Sequence, residues 1–395
     1  MAVSGKVILH KGKEHSIERF HPWIFSGAIS KMEGSVTDGC WVELCDFKNR
    51  LLGFGHYQNG SIAVRVLQFG QQPLSEDFWA KRFQDALRLR NSSDLPSKST
   101  TCFRLIHAEG DGLPGLIIDF YEGIAVVQAH SVGMHEDRKR IAAALKEVLG
   151  DDLKSVFYKS QSTLPGKMRD KNDDEYLEGM GAVPHVVLEN NHKFLVDWKE
   201  GQKTGFFLDQ RENRKLLGSF SKNKKVLNTF CYTGGFSVYA LAAGAEVVHS
   251  VDSSEKAIEL TRKNLELNGF NANIHKCFAE DTFEFLKDKQ DQYDLIILDP
   301  PAFAKHRDAR HQAVKGYQRL NAEAMRSIKS GGIIFTFSCS QVVDRKLFYD
   351  TIVSAAIQAG RQIKVLHHLS QPADHPVSIF HPEGEYLKGL VLYVN

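Results

Sequence analysis

The chain has 395 residues, more than one ordinary hydrophobic core accommodates, so two or three domains are expected. An apolar fraction of 42% and a charged fraction of 25% exclude a disordered protein, and a net charge of only +2 excludes a uniformly polycationic one. The six cysteines lack the paired spacing of a zinc site and the density of a disulfide scaffold. Because no signal peptide or membrane span is evident either, the sequence predicts a cytoplasmic protein without a metal or a membrane partner.

The first 72 residues predict a small β domain. Short apolar stretches at 41–46, 50–54 and 62–67 are separated by turn residues. Basic and aromatic side chains are concentrated in the first third of this domain, where a solvated surface beside core aromatics is the simpler interpretation.

Residues 73–190 predict a central α+β domain. An amphipathic pattern at about 74–90 indicates a helix, and a polar loop rich in Ser and Pro follows it at 91–101. The rest of the domain is predicted as strands at 104–106, 115–119 and 124–128, a helix at about 135–149 and a strand at 155–158.

From residue 191 to 395, apolar β-type stretches alternate with helical patterns. This alternation predicts an α/β fold with a mainly parallel, doubly wound sheet and helices on both faces. Ligands bind such sheets at the carboxyl ends of the strands. The strands are predicted at 225–228, 246–251, 272–277, 293–298, 332–337 and 387–393.

The ends of the first three strands predict a nucleoside-bearing cofactor. The first strand ends at Asn228 and turns through Gly234 and Gly235, which would let the backbone pass close to a ligand. A turn that serves only topology is the alternative, and the missing G-x-G-x-x-G motif disfavours a NAD oxidoreductase. Asp252 could accept two hydrogen bonds from a ribose diol, and Asp281 could accept one from an adenine amino group. Each acid could instead cap a helix.

The ends of the fourth and fifth strands predict a site for a planar base. Asp299 precedes two prolines, which make a rigid shelf, although an ordinary strand-ending turn is the alternative. Cys339 ends the fifth strand and neighbours Asp299 if the two strands are adjacent. Most cysteines are small buried side chains, and Cys231 in the first loop is the rival nucleophile. Because the cofactor should occupy that loop, Cys339 is the favoured nucleophile.

With these residues in place, the chain resembles the bacterial 23S rRNA cytosine-C5 methyltransferase I family, whose members use S-adenosyl-L-methionine (SAM). The resemblance implies an N-terminal β-barrel PUA domain that binds RNA (1–72), a central α+β domain (73–190) and a Rossmann-like SAM methyltransferase domain (191–395). The partner it implies is 23S rRNA or a large-subunit assembly intermediate, and a homodimer is left open. The similar stretches lie at 21–27, 109–116, 203–211, 228–236, 299–301, 337–340, 373–376 and 385–389.

The implied reaction is methylation of carbon 5 of a cytosine through a covalent bond between Cys339 and carbon 6 of the ring, with Asp299 as the second catalytic residue. The sequence identifies neither the base that removes the C5 proton nor the target nucleotide. We expect SAM to contact Phe207, Gln210, Asn228, Phe230, Tyr232, Thr233, Gly234, Asp252, Ser253, Asp281 and Asp299. We expect RNA to contact Lys11, Arg19, Trp23, Lys203, Phe303 and Lys305.

The residue after the two prolines, Ala302, helps to distinguish cytosine-C5 methylation from other methyltransferase reactions. Ala302 stands where another group of RNA cytosine-C5 methyltransferases has a second cysteine, so one active-site thiol is expected. Methyltransferases acting on amino groups usually have an aromatic residue there, although related guanine-N2 enzymes also carry small ones. Guanine-N2 methylation with a structural Cys339 therefore stays as one alternative, and a non-catalytic RNA-binding assembly factor as another.

Overall fold

The computed structural model describes residues 2–166, 174–287, 289–304 and 306–395. The chain forms two compact units. Unit 1 comprises Met1–His185, Val196–Phe206 and Ala373–Gly384, and unit 2 comprises Val186–Leu195, Phe207–Pro372 and Glu385–Asn395. The division into three domains at 72/73 and 190/191 stays a prediction.

Unit 1 begins with an N-terminal sheet in which most neighbouring strands are antiparallel. Its strands are β1 (Gly5–Leu9), β2 (Trp23–Phe25), β3 (Ile29–Gly34), β4 (Trp41–Cys45), β5 (Leu51–Tyr57) and β6 (Ile62–Phe69), and helix α1 (His15–Glu18) follows β1. The strand order is β2-β6-β5-β4-β1-β3, with β1 and β4 parallel. Val7, Val42 and Val64 are fully buried and belong to one core.

A second sheet of unit 1 has the order β11-β10-β9-β8-β7. Its strands are β7 (Cys102–His107), β8 (Leu116–Tyr121), β9 (Ile124–Ala129), β10 (Ser155–Tyr158) and β11 (Glu175–Gly179), with helices α2 (Phe78–Asn91), α3 (Val132–Glu136) and α4 (Arg138–Leu149). The helix predicted at 135–149 is thus divided at Asp137. That carboxylate accepts a hydrogen bond of 2.7 Å from the indole of Trp41, which ties α3 and α4 to the N-terminal sheet.

The segment at 373–384 is held in unit 1 by the buried side chain of Arg90 and the backbone of Arg104. The guanidinium of Arg90 donates to the carbonyl of Asp374 at 2.9 Å and pairs with Asp111. The Asp374 carboxylate accepts from the backbone N–H of Arg104 at 3.0 Å. Since Arg90 and Asp374 are fully buried, the acid at 374 has a structural role.

Unit 2 contains a sheet of order β16-β15-β14-β17-β18-β20-β19. It also contains the hairpin strands β12 (His185–Glu189) and β13 (His192–Val196), except for the end residues His185 and Val196, which are assigned to unit 1. The strands of the sheet are β14 (Lys225–Thr229), β15 (Val247–Asp252), β16 (His275–Ala279), β17 (Leu295–Leu298), β18 (Gly332–Ser338), β19 (Ile363–Leu369) and β20 (Lys388–Val394). The pairs from β16 to β18 are parallel, whereas β20 is antiparallel to both neighbours. The predicted α/β fold with a mainly parallel sheet is therefore confirmed.

Strand β19 was not predicted from the sequence. It lies at the edge of the sheet, and a bulge between Val365 and His367 interrupts its register with β20. Three consecutive residues from 366 to 368 are exposed, so the strand lacks the regular alternation that identifies half-buried strands.

The first helix of unit 2 precedes β14, and the others connect strands of this sheet. They are α5 (Arg211–Ser221), α6 (Gly235–Ala242), α7 (Glu255–Leu267), α8 (Thr282–Lys287), α9 (Arg310–Ser327) and α10 (Arg345–Ala359). Leu227, Ile296 and Ile334 on the central strands are fully buried. Burial on both faces of a sheet explains why these strands read as continuous apolar runs.

A buried ion pair links β12 to α5. The carboxylate of Glu189 accepts from Arg214 Nε at 2.7 Å and from Nη2 at 2.6 Å, and both side chains are almost fully buried. The Glu189→Gln substitution should lower the free energy of unfolding by about 3–5 kcal/mol, because it removes the carboxylate charge that is paired with the buried Arg214 guanidinium. Urea unfolding followed by circular dichroism measures this loss. The exposed Glu246, 3.6 Å from Lys225, provides the control, and Glu246→Gln should leave the midpoint unchanged. Equal midpoints for the two variants would contradict the prediction.

Candidate active site

The carboxyl ends of β14, β15, β17 and β18 lie side by side at one edge of the sheet. Thr229 pairs with Leu298, and Leu298 pairs with Thr336. Asp299 therefore follows β17 directly beside the end of β18, where Cys339 follows Ser338. The sequence analysis placed Cys339 near Asp299 only if the fourth and fifth strands were adjacent. The structure shows that these strands, β17 and β18, are direct neighbours.

The loop after β14 has an unusual backbone. Phe230 and Tyr232 adopt φ of 53° and 47°, and Gly234 adopts φ of 74°. Non-glycine residues in this region cost on the order of 1–3 kcal/mol each, and such residues cluster at ligand sites. A Cβ at Gly234 would lie 2.7 Å from Thr261 Cγ2, and one at Gly235 would lie 2.9 Å from Arg214 Cδ. Packing against the protein itself, rather than the approach of a ligand, is thus a sufficient reason for both glycines.

Helix α7 holds this loop by side chains that the sequence analysis missed. The hydroxyl of Thr261 donates to the carbonyl of Tyr232 at 2.9 Å, and the amide of Asn264 donates to the carbonyl of Thr233 at 2.8 Å. Both side chains are fully buried on the same helix face as Leu265. Polar residues three apart within an apolar helical stripe are the signal that could have identified them.

Asp252 joins the loop after β14 to the end of β15. Its Oδ2 accepts from the backbone N–H of Tyr232 at 3.1 Å, and its Oδ1 accepts from that of Ser254 at 2.9 Å. The side chain is half-buried, whereas Ser253 is exposed. Ser254, not Asp252, caps α7 by accepting from the backbone of Ala257.

Asp281, Phe207 and Tyr232 are further predicted SAM contacts. Asp281 is exposed and accepts from the backbone of Phe283 at 2.9 Å, so it starts α8 as a helix cap. The rings of Phe207 and Tyr232 are half-buried, with centroids 5.1 Å apart. A half-buried carboxylate for a diol beside aromatic rings for a base fits the nucleoside part of SAM.

Asn228 lies below this edge, in the interior. Its amide nitrogen donates to the hydroxyl of Ser237 at 2.9 Å, and Ser237 bonds to Ser250 at 2.7 Å. Its amide oxygen is buried and has no hydrogen-bond partner among the described residues. The side chain thus links β14 to α6 and β15, and its contact with SAM stays a prediction.

Asp299 is oriented by two amides of unit 2. The Gln210 amide nitrogen donates to Asp299 Oδ2 at 3.0 Å, and Asn213 donates to the Gln210 amide oxygen at 2.6 Å. Gln210 was expected to contact SAM, and its observed partner is the predicted catalytic acid. Asn213 was not predicted, since nothing in its sequence position distinguishes it from an ordinary helix residue.

The loop that carries Cys339 is tied to the loop after Asp299. The hydroxyl of Ser340 donates to the carbonyl of Ala304 at 2.8 Å. Cys339 itself is half-buried. Phe303 packs on Tyr317 with centroids 4.6 Å apart, so only part of its ring is exposed for the predicted base stacking.

Cys231, the rival nucleophile, is buried. Its sulfur lies 3.5 Å from the hydroxyl of Thr261, and burial raises the pKa of its thiol well above the ordinary value. Because the thiolate is the reactive form of cysteine, this environment disfavours nucleophilic attack by Cys231.

The predicted RNA contacts at the N-terminus belong to unit 1. Lys11, Arg19 and Lys203 are exposed. Trp23 is half-buried, and its indole N–H donates to Glu109 at 2.9 Å. Lys305 lies outside the described residues. The predicted RNA contacts are therefore not all in one unit, since Phe303 belongs to unit 2.

Within 2–166, 174–287, 289–304 and 306–395, no group of three or more His, Cys, Asp or Glu side chains is arranged to hold a metal ion. In the same part of the chain, no helix has the length and apolar character needed to cross a bilayer.

Comparison with known proteins identifies the family. A family model described as an S-adenosylmethionine-dependent methyltransferase matches residues 103–380. The ribosomal RNA large subunit methyltransferase I of Aeromonas hydrophila is 38% identical over 99% of this chain and 99% of its own length. The chain belongs to the ribosomal RNA large subunit methyltransferase I family. The homologue from Alteromonas mediterranea is 37% identical over 100% of both chains.

The remaining comparisons concern the fold. A PUA-like domain model matches residues 7–69, which span the N-terminal sheet. A SAM-dependent methyltransferase from Streptococcus mutans has a TM-score of 0.82 at 24% identity, covering 98% of this chain and 99% of its own. A methyltransferase solved with SAH has a TM-score of 0.84 at 24% identity and the same coverage. The predicted PUA-like N-terminal fold is confirmed, and so is the predicted SAM cofactor, which the matching methyltransferase family model names.

The Asp252→Ala substitution should weaken binding of SAH, the product form of SAM. Loss of the carboxylate removes the acceptor proposed for the ribose diol and releases the Tyr232 backbone. A charge-assisted hydrogen bond contributes about 1.5–3 kcal/mol, so the dissociation constant should rise roughly ten- to a hundredfold. Titration calorimetry measures the change, and Glu255→Ala, an exposed acid on α7, is the control. Unchanged affinity in Asp252→Ala would contradict the ribose assignment.

Proposed function

We propose that this protein methylates carbon 5 of a cytosine in 23S rRNA through a covalent bond between Cys339 and carbon 6 of the ring. The observation that carries the proposal is the half-buried thiol of Cys339 directly after β18, next to strand β17, which Asp299 follows. The named relatives are large-subunit ribosomal RNA methyltransferases, which supports rRNA as the substrate.

Carbon 5 of cytosine is a poor nucleophile, so the ring must be activated before it can accept a methyl group. The Cys339 thiolate adds to carbon 6, and the electron pair of the C5–C6 bond becomes available at carbon 5. SAM, when bound, supplies an electrophilic methyl group on its sulfonium. After transfer, a base removes the C5 proton, and the electron pair left behind expels the Cys339 thiolate.

Asp299 balances the charge that develops on the ring. As Cys339 adds, negative charge builds toward ring nitrogen 3, where a protonated carboxyl group can donate a hydrogen bond or a proton. The 4-amino group can donate to the same carboxyl. Gln210 supports this assignment because it fixes Asp299 Oδ2 at 3.0 Å and so limits rotation of the carboxyl group.

RNA contacts are assigned to exposed basic residues of unit 1 and, separately, to Phe303 of unit 2. Lys11 and Arg19 lie within the PUA-like match, and both are exposed, so they can pair with phosphates. Trp23 contributes less than a fully exposed ring would, since its indole is bonded to Glu109. The target is thus proposed as 23S rRNA, either free or within an assembling subunit.

The test is the identity of the methylated nucleoside. Unmodified 23S rRNA and partly assembled large-subunit particles are each incubated with the protein and SAM, digested to nucleosides and analysed by mass spectrometry. The proposal predicts 5-methylcytidine in at least one substrate. N2-methylguanosine would favour guanine-amino methylation with a structural Cys339, and absence of methylation in both substrates would overturn the proposal.

A further inference from the structure

Lys388 is a nearly fully buried lysine at the start of β20. Lys388 is only 3% exposed. Lysines are almost never fully buried without a partner, so its ammonium group should have defined contacts. The antiparallel register places Lys388 opposite Ser338, the last residue of β18. The lysine is thus adjacent to the turn that carries Cys339.

Two backbone carbonyls fix the position of the ammonium group. Lys388 Nζ donates to the carbonyl of Ser340 at 2.7 Å and to that of Tyr386 at 2.7 Å. Ser340 directly follows Cys339, so the first of these bonds holds the charge against the cysteine turn. An ammonium has three protons, and these bonds use two of them.

The charges around Lys388 come from three elements. Burial lowers the pKa of Lys388 to about 8, and among the neighbouring charges a Cys339 thiolate opposes that shift most. Glu385 and Asp344 also raise the pKa of Lys388, whereas Arg345 lowers it. Arg345 is itself paired with Glu385, so much of its charge is already balanced.

We propose that Lys388 is a positioning residue that keeps a positive charge beside the Cys339 sulfur and thereby stabilises the thiolate before it attacks cytosine. A neighbouring cation favours the charged form of a thiol. The thiol proton leaves to solvent, while Lys388 retains its own proton. This inference rests on the proposed function, because it assigns Cys339 the role of nucleophile.

The pH dependence follows from the signs of the charges. While Lys388 is protonated, Cys339 should ionise below the ordinary thiol pKa of about 8.5. As the pH rises through the Lys388 pKa of about 8, the lysine loses its charge and the stabilisation of the thiolate is lost. A neutral residue at 388 removes the stabilisation at every pH.

The experiment measures alkylation of Cys339 by iodoacetamide as a function of pH, with peptide mass mapping to separate this cysteine from the other five. In Lys388→Met the midpoint of the profile should move up by about one pH unit, whereas Lys388→Arg should stay at or below the wild-type midpoint. The control is Lys364→Met, an exposed lysine on the neighbouring strand β19, which should leave the profile unchanged.

An unchanged midpoint in Lys388→Met that still binds SAH would overturn the inference. If Lys388→Met does not fold, Lys388→Arg decides, because a raised midpoint despite the retained charge would also overturn it. Alkylation requires neither RNA nor methyl transfer. Failure of the Lys388 inference is therefore separate from failure of the proposed function, which the nucleoside analysis detects.

Discussion

The Cys339→Ala substitution is expected to abolish methyl transfer to rRNA while SAH affinity stays at the wild-type value. The loss follows because carbon 5 of cytosine cannot be activated without addition of the sulfur to carbon 6. Removal of an attacking nucleophile costs on the order of 10⁴-fold or more in turnover. Single-turnover transfer of a labelled methyl group from SAM measures the rate, and calorimetry measures SAH binding.

Cys277→Ala is the matched control for this prediction. Cys277 is a half-buried cysteine on β16 of the same sheet. Its replacement should leave the rate near that of the wild type. A Cys339→Ala protein that retains near wild-type rates would remove the covalent mechanism, and a parallel loss of SAH binding would point to a structural role instead.

The Asp299→Asn substitution should reduce turnover by about 10²- to 10⁴-fold, the usual contribution of a general acid or base. Asparagine can accept the hydrogen bond from Gln210, so the loop should keep its conformation. It cannot carry the proton that ring nitrogen 3 receives as Cys339 adds. Single-turnover rates and SAH affinity, measured together, separate this loss from a defect in cofactor binding.

Asp291→Asn is the matched control for the Asp299→Asn substitution. Asp291 is exposed in the turn before β17, at the opposite end of the strand from Asp299, and asparagine tolerates its positive φ of 52°. Wild-type turnover is expected for this variant. Equal rates for Asp299→Asn and the wild type would exclude Asp299 from the chemistry.

The sequence predicted the residues at the strand ends, because parallel strands place their carboxyl ends at one edge of the sheet. Asp252 and Asp299 each directly follow an apolar β run, and Cys339 comes just after one, so their placement required only the correct strand assignments. Predicting that Asp299 and Cys339 are close together required the strand order as well, because Asp299 lies beside the end of β18 only if β17 and β18 pair directly.

The supporting residues could not be predicted in the same way. Lys388 reaches the cysteine turn because β20 returns antiparallel beside β18, a register that no local pattern specifies. Asn213 acts on Asp299 through Gln210, and Asn264 acts on the backbone of Thr233. Such contacts depend on how helices pack against the sheet, and helical periodicity shows only which face is buried.

The covalent bond between Cys339 and the target cytosine is most directly tested by trapping it. Fluorine at carbon 5 cannot leave as a proton does, so 23S rRNA transcribed with 5-fluorocytidine should stay attached to the protein after methyl transfer. We predict a SAM-dependent RNA–protein complex that survives denaturation, maps to the Cys339 peptide and is absent in Cys339→Ala. Methylation of unsubstituted rRNA without any trapped complex, or a complex on another cysteine, would contradict the account.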